Sequence, residues 1–241
     1  MGTLDYKQFS KRHRPHIQPP GANFFVTYRL AGSIAKPVIR EYKANKQWLN
    51  DQVKRARREA ASTDTRSVQE WLERVERFER DWFIKFEEIL HKVASGPMFL
   101  KDERIAAAVC DSLHKGDGKE YRLDAFTVMS NHVHTVLEPF LNEQNLYEYV
   151  NSDAKFVYTS DFPGLSRILH RVKGSSAREC NLLLSRSGQF WEHESFDHYI
   201  RQGKLMKTVS YVLNNPVKAK LVDDWREWRS SYCRSELVKK L

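Results

Sequence analysis

Cysteines are few in this sequence and long hydrophobic runs are missing, and these two absences exclude several classes of protein. The three cysteines, Cys110, Cys180 and Cys233, are odd in number and far apart, which fits neither a disulfide framework nor a cysteine metal site. No apolar run approaches the roughly 18 residues of a membrane-spanning helix. The opening stretch MGTLDYKQFSKRHRPH has no apolar region of the kind that secretory signals carry. A cytoplasmic protein without a membrane partner is therefore expected.

Motifs for nucleotide and acyl chemistry are missing as well. The sequence contains no GxxxxGKS/T phosphate loop, so no nucleotide cofactor is expected, and it contains no GxSxG nucleophile turn. It also lacks an aspartate-rich pattern for two metal ions. The 241 residues suffice for one large domain, or for a smaller domain with an insertion, and 41% of them are hydrophobic, which is enough to bury a core.

Positive charge is concentrated at the two ends of the chain. Residues 1–60 carry a net charge of +9, residues 61–200 carry −6, and residues 201–241 carry +6. This distribution suits a protein that binds a polyanion with both ends of its chain. It equally suits a basic protein whose charge keeps it soluble. Charge alone leaves both interpretations open.

The hydrophobic pattern predicts an α+β domain. Short strands are predicted at 24–30, 121–129, 132–138 and about 189–200, and amphipathic helices at about 102–114, 164–184 and 203–215. Only Ser130 and Asn131 separate the second and third strands, which is typical of a tight hairpin. The order β-α-β-β-α-β-α predicts a ferredoxin-like, split βαβ antiparallel sheet with an added C-terminal helix.

An α-helical hairpin over 37–94 is predicted as an insertion after the first strand. Its aromatic residues recur at near-heptad spacing, and we interpret them as packing between two antiparallel helices. The predicted organisation is a basic N-terminal arm (1–23), a domain made of 24–36 and 95–222, this inserted hairpin, and a basic C-terminal tail (223–241). Residues 139–163 are predicted to form a loop with a short helix.

Two histidines one residue apart are the first candidate site. His132 and His134 fall on one face of the predicted strand, because alternate side chains of a strand point the same way, so both imidazoles could reach one metal ion. Buried histidines that bind no metal would show the same spacing. The spacing is not that of a zinc finger, and no cysteine lies nearby.

A tyrosine on the polar side of the predicted helix 203–215 is the second candidate. Tyr211 lies off the apolar arc of this helix and beside Lys204 and Lys207, with Asn215 one turn further on. A phenol flanked by ammonium groups favours a bound phosphate or a nucleophilic phenolate, and an amide oxygen can bind a hard cation. A tyrosine at the rim of the core is the plainer interpretation.

Arginines line one face of the predicted helix 164–184. Arg167, Arg171 and Arg178 lie opposite its apolar residues, and guanidinium groups match the geometry of phosphate. An ordinary solvated helix face would look the same, so the sequence leaves both a nucleic-acid contact and a solvated face open.

Together these segments resemble the single-tyrosine HUH transposases, and among them the REP-associated tyrosine transposases. The resemblance is carried by YRLDAFTVMSNHVHTVLEP (121–139), LSRILHRVKGSSAREC (165–180), GQFWEHESFDHYI (188–200), SYVLNNPVKAKLV (210–222) and WREWRSSY (225–232). The sequence departs from the family at Ser130, where proline is usual, and at Lys220, where glycine is more common. The hairpin at 37–94 is a larger addition, for which we hypothesise contacts with DNA or with a second subunit.

The resemblance implies roles for individual residues. His132 and His134 would bind the metal, Tyr211 would be the nucleophile, and Asn215 stands where a third polar ligand is expected. Asn131 would support the histidines. With the basic arm and the helix faces included, the predicted DNA contacts are Arg12, Arg14, Arg167, Arg171, Lys173, Arg178, Lys204, Lys207 and Lys218.

The reaction that the resemblance implies is metal-assisted cleavage and rejoining of single-stranded DNA near a REP-like hairpin. With Mg²⁺ or Mn²⁺ as cofactor, Tyr211 would attack the scissile phosphate and leave a 3′-hydroxyl and a 5′-phosphotyrosine. An ordinary phenol has a pKa of about 10, so help from the cation and from Lys204 or Lys207 is expected. The expected partner is single-stranded hairpin DNA of the nucleoid. Some relatives act as homodimers and others as monomers, and the sequence leaves both open.

Two alternatives use the same fold. One is a domesticated, catalytically silent protein that binds hairpin DNA, and the intact histidine pair and Tyr211 count against it. The other is an RNA-binding or RNA-cleaving protein, because ferredoxin-like sheets also carry RNA modules. Exposed paired aromatics on the central strands would favour RNA, but strand alternation predicts Tyr121 and Phe126 on opposite faces of their strand.

Overall fold

The computed structural model describes residues 21–59, 66–92, 96–140 and 164–241. Within these ranges the chain divides into two compact units: one comprises the chain up to Leu30 and from Met98 onward, and the other comprises Ala31–Pro97. The predicted basic arm with Arg12 and Arg14, except for its last residues, lies outside the described residues, as does nearly all of the predicted loop 139–163.

The larger unit is built on one antiparallel sheet. Its strands are β1 (Phe24–Arg29), β2 (Tyr121–Val128), β3 (His132–Pro139), β4 (Phe196–Tyr199) and β5 (Ser231–Cys233). Their order across the sheet is β4-β1-β3-β2-β5, with every neighbouring pair antiparallel. The first four strands have the order 4-1-3-2, which is the ferredoxin-like arrangement. The predicted fold class is confirmed.

Seven α-helices lie within the described residues. They are α1 (Lys36–Glu59), α2 (Arg66–Lys92), α3 (Glu103–His114), α4 (Leu165–Leu183), α5 (Leu205–Leu213), α6 (Asn215–Lys218) and α7 (Ser235–Val238). None of these described helices is both long and apolar enough to cross a membrane. The helix predicted over 203–215 is thus divided, because α5 ends at Leu213 and Asn215 begins the short α6, which has Pro216 in its first turn.

One face of the sheet forms the hydrophobic core with α3 and α4. Side chains of β1 alternate, so Phe24, Val26 and Tyr28 pack into this core beside apolar residues such as Val109 of α3 and Ile168 of α4. The intervening residues of β1 therefore point to the opposite face. Helix α5 contacts that opposite face of the sheet through β2, β3 and β5.

The predicted basic tail, residues 223–241, differs from the prediction because part of it joins the sheet. Strand β5 pairs with β2. Arg234 donates from Nε to the carbonyl of Leu123 at 3.0 Å and from Nη2 to Asp117 Oδ1 at 2.8 Å. Trp228 donates from Nε1 to the carbonyl of Val128 at 2.9 Å. Basic and aromatic side chains of this region thus anchor the chain to β2.

The smaller unit is a pair of antiparallel helices, α1 and α2. The ring of Tyr42 lies 5.4 Å from that of Trp82 and 5.2 Å from that of Phe86, measured between centroids. Lys46 Nζ lies 2.5 Å from Glu79 Oε1 in the same interface. Aromatic packing and a largely buried ion pair therefore hold the two helices together.

Candidate active site

His132 and His134 lie side by side on the face of β3 that points away from the core. Both are buried, and their Nε2 atoms are 3.0 Å apart. Two ligand nitrogens that are each ~2.1 Å from one ion, at right angles, lie ~3.0 Å from each other. The spacing between the two rings therefore fits a shared metal ion.

Hydrogen bonds hold both imidazoles by their other nitrogen. His132 Nδ1 lies 2.6 Å from Asn131 Oδ1, and His134 Nδ1 lies 2.8 Å from Thr27 Oγ1 on β1. Because an amide oxygen only accepts, Nδ1 of His132 carries the proton and Nε2 presents its lone pair. Partners on the far nitrogen orient histidines that bind metals.

Tyr211 extends from α5 toward the same face of the sheet. Its ring centroid is 6.1 Å from that of His134 and 5.8 Å from that of Phe25. Phe25 also stacks on His134 at 5.7 Å. The buried arc of α5, with Val209 at its centre, fixes the helix on the sheet and leaves Tyr211 half-buried at its border. The structure thus brings together the tyrosine and the histidine pair.

Lys218 of α6 lies over the ring of Tyr211. Its Nζ is 4.0 Å from the ring centroid, which is the geometry of a cation–π contact. A cation at this position favours negative charge on the phenol oxygen. The sequence suggests this role for Lys204 or Lys207 and a DNA contact for Lys218, but both other lysines are exposed at the start of α5.

Asn215 stands one turn beyond Tyr211 and is buried. Its Nδ2 donates to the carbonyl of Tyr211 at 2.9 Å and to that of Val212 at 3.3 Å, both of which belong to the last turn of α5. Its Oδ1 is also buried and has no hydrogen-bond partner among the described residues. A buried oxygen without a partner is unfavourable, so this atom is available to a cation or to a substrate group.

This donor set fits a divalent metal ion. Two imidazole nitrogens with fixed orientation and an unsatisfied amide oxygen are common ligands of such ions. His132 and His134 have ligand atoms spaced for one ion, and the role of Asn215 as a third ligand, which the resemblance implies, stays a prediction.

The predicted DNA contacts on α4 lie across the sheet from the histidine pair. Helix α4 covers the core face, where Arg167 and Arg178 are exposed. Arg171 is also exposed and forms an ion pair with Glu120. A strand bound along these arginines would run on the opposite side of the sheet from Tyr211.

Lys173, another predicted DNA contact, is engaged within the protein. Its Nζ donates to the carbonyls of Glu192 and His193 at 2.7 and 3.0 Å and to Ser195 Oγ at 3.1 Å. Burial lowers the pKa of Lys173 from 10.5 to about 8. These bonds tie the segment before β4 to α4. The chain pairs with the end of β1 at Trp191 and then again from Phe196, so β4 begins later than the strand predicted from about 189.

Sequence reasoning missed two residues around the site. Thr27 lies opposite His134 and bonds to it, while Phe25 contacts the rings of His134, Tyr211 and His198. Their location depends on the register of β1 against β3 and β4, which the sequence of β1 does not contain. The alternation of FFVTYR places Phe25 and Thr27 on one face, and this signal identifies them once the strand pairing is known.

No protein-family model and no curated protein matches this chain. Among solved structures, the chain is similar to a REP-associated tyrosine transposase bound to a REP hairpin. The sequences are 14% identical and the TM-score is 0.44, with 92% of this chain and 82% of the other chain covered. The family of that structure is the one that the sequence motifs resemble.

Proposed function

We propose that this protein is a metal-dependent, single-tyrosine endonuclease and strand transferase that cleaves and rejoins single-stranded DNA beside a REP-like hairpin. One observation carries the proposal: the Nε2 atoms of His132 and His134 are 3.0 Å apart, and the ring of Tyr211 lies 6.1 Å from His134 on the same face. A metal-binding pair beside a tyrosine suits nucleophilic attack on a phosphodiester. The motif resemblance supports hairpin DNA as the partner and the nucleoid as the location.

The residues around Tyr211 divide the work of this reaction. A Mg²⁺ or Mn²⁺ ion bound by His132, His134 and Asn215 would polarise the scissile phosphate. Asn131 holds the ring of His132 in place. Lys218 stabilises the negative charge that develops on the phenol oxygen of Tyr211.

The covalent step conserves the energy of the phosphodiester bond. The phenol oxygen of Tyr211 loses its proton and forms a bond to phosphorus, while the bond from phosphorus to the 3′ oxygen breaks. The 3′ oxygen leaves as a hydroxyl group after it takes up a proton, and the 5′ end stays attached as a phosphotyrosine. Another 3′-hydroxyl can then attack the phosphotyrosine and reseal a strand, which needs no nucleotide cofactor.

A denaturing gel tests the proposal. Purified protein is incubated with single-stranded hairpin DNA from beside its own gene, with either Mn²⁺ or EDTA. The wild-type protein is expected to form a covalent adduct only with Mn²⁺, and Tyr211→Phe is expected to form none while it still binds the hairpin. Tyr199→Phe, on the core side of β4, is the matched control and is expected to form the adduct.

Two outcomes contradict parts of the proposal. An adduct formed by Tyr211→Phe would mean that another residue is the nucleophile. Tight binding of flanking hairpins without any adduct from the wild-type protein would indicate a catalytically silent DNA-binding protein. Light scattering of the protein–DNA complex distinguishes the two predicted states, homodimer and monomer.

A further inference from the structure

A row of aromatic rings runs from the edge of the sheet to Tyr211. His198 is exposed on β4, an edge strand, and its ring centroid is 5.7 Å from that of Phe196 and 5.1 Å from that of Phe25. The ring of Phe25 is in turn 5.8 Å from that of Tyr211. The rings therefore connect the surface of β4 with the proposed nucleophile.

Three cations follow these rings along the chain. Arg201 and Lys204 lie between β4 and α5, and Lys207 lies in the first turn of α5; all three are exposed. Within the described residues, none of the three has an ion-pair partner. Other arginines of this unit, such as Arg226 and Arg234, do have carboxylate partners. Positive charge near Tyr211 is thus left available to a ligand.

The exposed ring of His198 and the three cations lie outside the hydrophobic core. Phe196 and His198 lie on the face of β4 away from the core, whereas Tyr199 packs against the core. Exposed cations without partners contribute little to folding stability. A surface that keeps both types of group beside a nucleophile is better explained by binding.

We infer that residues 196–207 bind the single DNA strand next to the scissile phosphate. The rings of Phe196 and His198 stack on unpaired nucleobases, and Arg201, Lys204 and Lys207 bind the phosphates between them. Every nucleobase has a π-face, so such a surface accepts single strands with little sequence preference. Bases in a duplex are already stacked on each other, so the segment selects unpaired DNA. This inference rests on the proposed function, because Tyr211 defines where the strand is cut.

Binding of a fluorescein-labelled oligothymidylate in EDTA tests the rings without metal or cleavage. Fluorescence anisotropy is expected to show that His198→Ala binds at least about 5-fold more weakly than the wild type, since one stacked base contributes about 1–3 kcal/mol. His198→Phe is expected to keep the affinity, because it keeps a ring. His193→Ala, another exposed histidine that precedes β4, is the matched control and is expected to bind like the wild type.

The salt dependence of the same binding tests the cations. Arg201→Gln and Lys204→Gln are each expected to reduce the slope of log affinity against log salt by about 0.7, the value for one phosphate contact on a single strand. Arg226→Gln is the control, because Asp224 already neutralises Arg226, and its slope is expected to stay unchanged.

The outcomes separate this inference from the proposed function. Wild-type affinity in His198→Ala, combined with a metal-dependent adduct in the wild-type protein, would overturn the inference and leave the nuclease standing. Weaker binding by His198→Ala, without any adduct from the wild-type protein, would overturn the nuclease and leave strand binding standing. Tighter binding of oligouridylate than of oligothymidylate would overturn DNA as the occupant.

Discussion

The two polar atoms of the Asn215 side chain differ in their hydrogen bonding. Its Nδ2 satisfies carbonyls at the end of α5, whereas its buried Oδ1 has no hydrogen-bond partner among the described residues. The neighbouring Asn214 provides a comparison, because its Nδ2 also donates to α5, at 2.8 Å to the Ser210 carbonyl, and its side chain is only half-buried. The amide of Asn215 is therefore held in place by one atom and leaves the other for a ligand.

Replacing Asn215 is expected to weaken metal binding. Wild-type protein should gain thermal stability when Mn²⁺ is added, because an ion that binds only the folded state stabilises it. Asn215→Ala should lose most of this gain and should also lose about 1 kcal/mol without metal, because two hydrogen bonds disappear. Thermal unfolding with and without Mn²⁺ measures both effects. Asn214→Ala is the control and should keep the full metal-induced gain. A full gain in Asn215→Ala would show that Asn215 is not a ligand.

Single residues of the site differ in how far the sequence reveals them. His132 and His134 can be predicted as a pair because strand alternation is a local property, and Tyr211 because it breaks the apolar arc of its own helix. Thr27 and Phe25 require the pairing of strands that are distant in sequence. The contact of Lys218 with Tyr211 depends on the change of direction between α5 and α6, which no periodicity encodes.

At the scale of elements, the sequence predicts β1, β2, β3, α3 and α4 to within one or two residues at each end. These segments have strong alternation or strong helical periodicity, which are local signals. Strand β5 has no such signal, because its three residues are a strand only through pairing with β2. The segment before β4 is likewise set by tertiary bonds to Lys173, so its sequence overstates the length of the strand.

Lys173, which joins α4 to that segment, is expected to make the folded protein more stable as pH rises. Burial lowers the pKa of Lys173 to about 8 from 10.5, so below about pH 8 the folded state bears the unfavourable burial of a charge. As pH rises toward about 10, Lys173 loses its proton in the folded protein while it still keeps its proton in most unfolded chains. The free energy of unfolding should therefore increase with pH through Lys173, by at most about 3 kcal/mol.

Urea unfolding near pH 7 and near pH 10 measures this contribution. The stability difference between the wild type and Lys173→Met should grow in favour of the wild type as pH rises. Lys119→Met, which removes an exposed lysine, should leave the difference constant. An equally constant difference for Lys173→Met would contradict the argument.

At the scale of the whole molecule, the structure distinguishes cations of the basic C-terminal region that have carboxylate partners from cations that have none. Residues 201–241 carry a net charge of +6, but several of their arginines serve the fold. Arg234 pairs with Asp117, and Arg226 with Asp224. The cations that remain without partners among the described residues include Arg201, Lys204 and Lys207, which are close in sequence to Tyr211. Part of the available charge is thus close in sequence to the proposed nucleophile, and Lys220, Lys239 and Lys240 carry the rest.

In the larger unit, some buried groups raise the free energy of unfolding as pH rises and others lower it. Burial raises the pKa of Cys110 from 9.0 to about 12 and that of Cys180 to about 11, and it also raises the pKa values of Tyr28 and Tyr121. Folded thiols keep protons that unfolded thiols lose above about pH 9, so their contribution to stability is present below pH 9 and is lost as pH rises. Lys173 acts in the opposite direction over the same range.

The two effects oppose each other, so the stability of the wild-type protein should change less between about pH 7 and pH 10 than either effect alone would change it. Removing a buried thiol should make the effect of Lys173 larger in the measured slope, and removing Lys173 should do the same for the thiols. From pH 7 to pH 10, the free energy of unfolding of Cys110→Ala should change by about 1 kcal/mol in favour of the variant relative to the wild type, because one thiol that loses stability with rising pH is gone. Lys173→Met should instead lose stability over this range.

Urea unfolding of the wild type, Cys110→Ala and Lys173→Met between about pH 7 and pH 10 measures how the free energy of unfolding changes with pH. Cys233→Ala, at the sheet edge, is the comparison and should shift the slope in the same direction as Cys110→Ala and by a similar amount, because its folded pKa of about 11 also lies above this range. A slope of stability against pH in Cys110→Ala that equals the wild-type slope would show that this thiol does not hold its proton in the folded state.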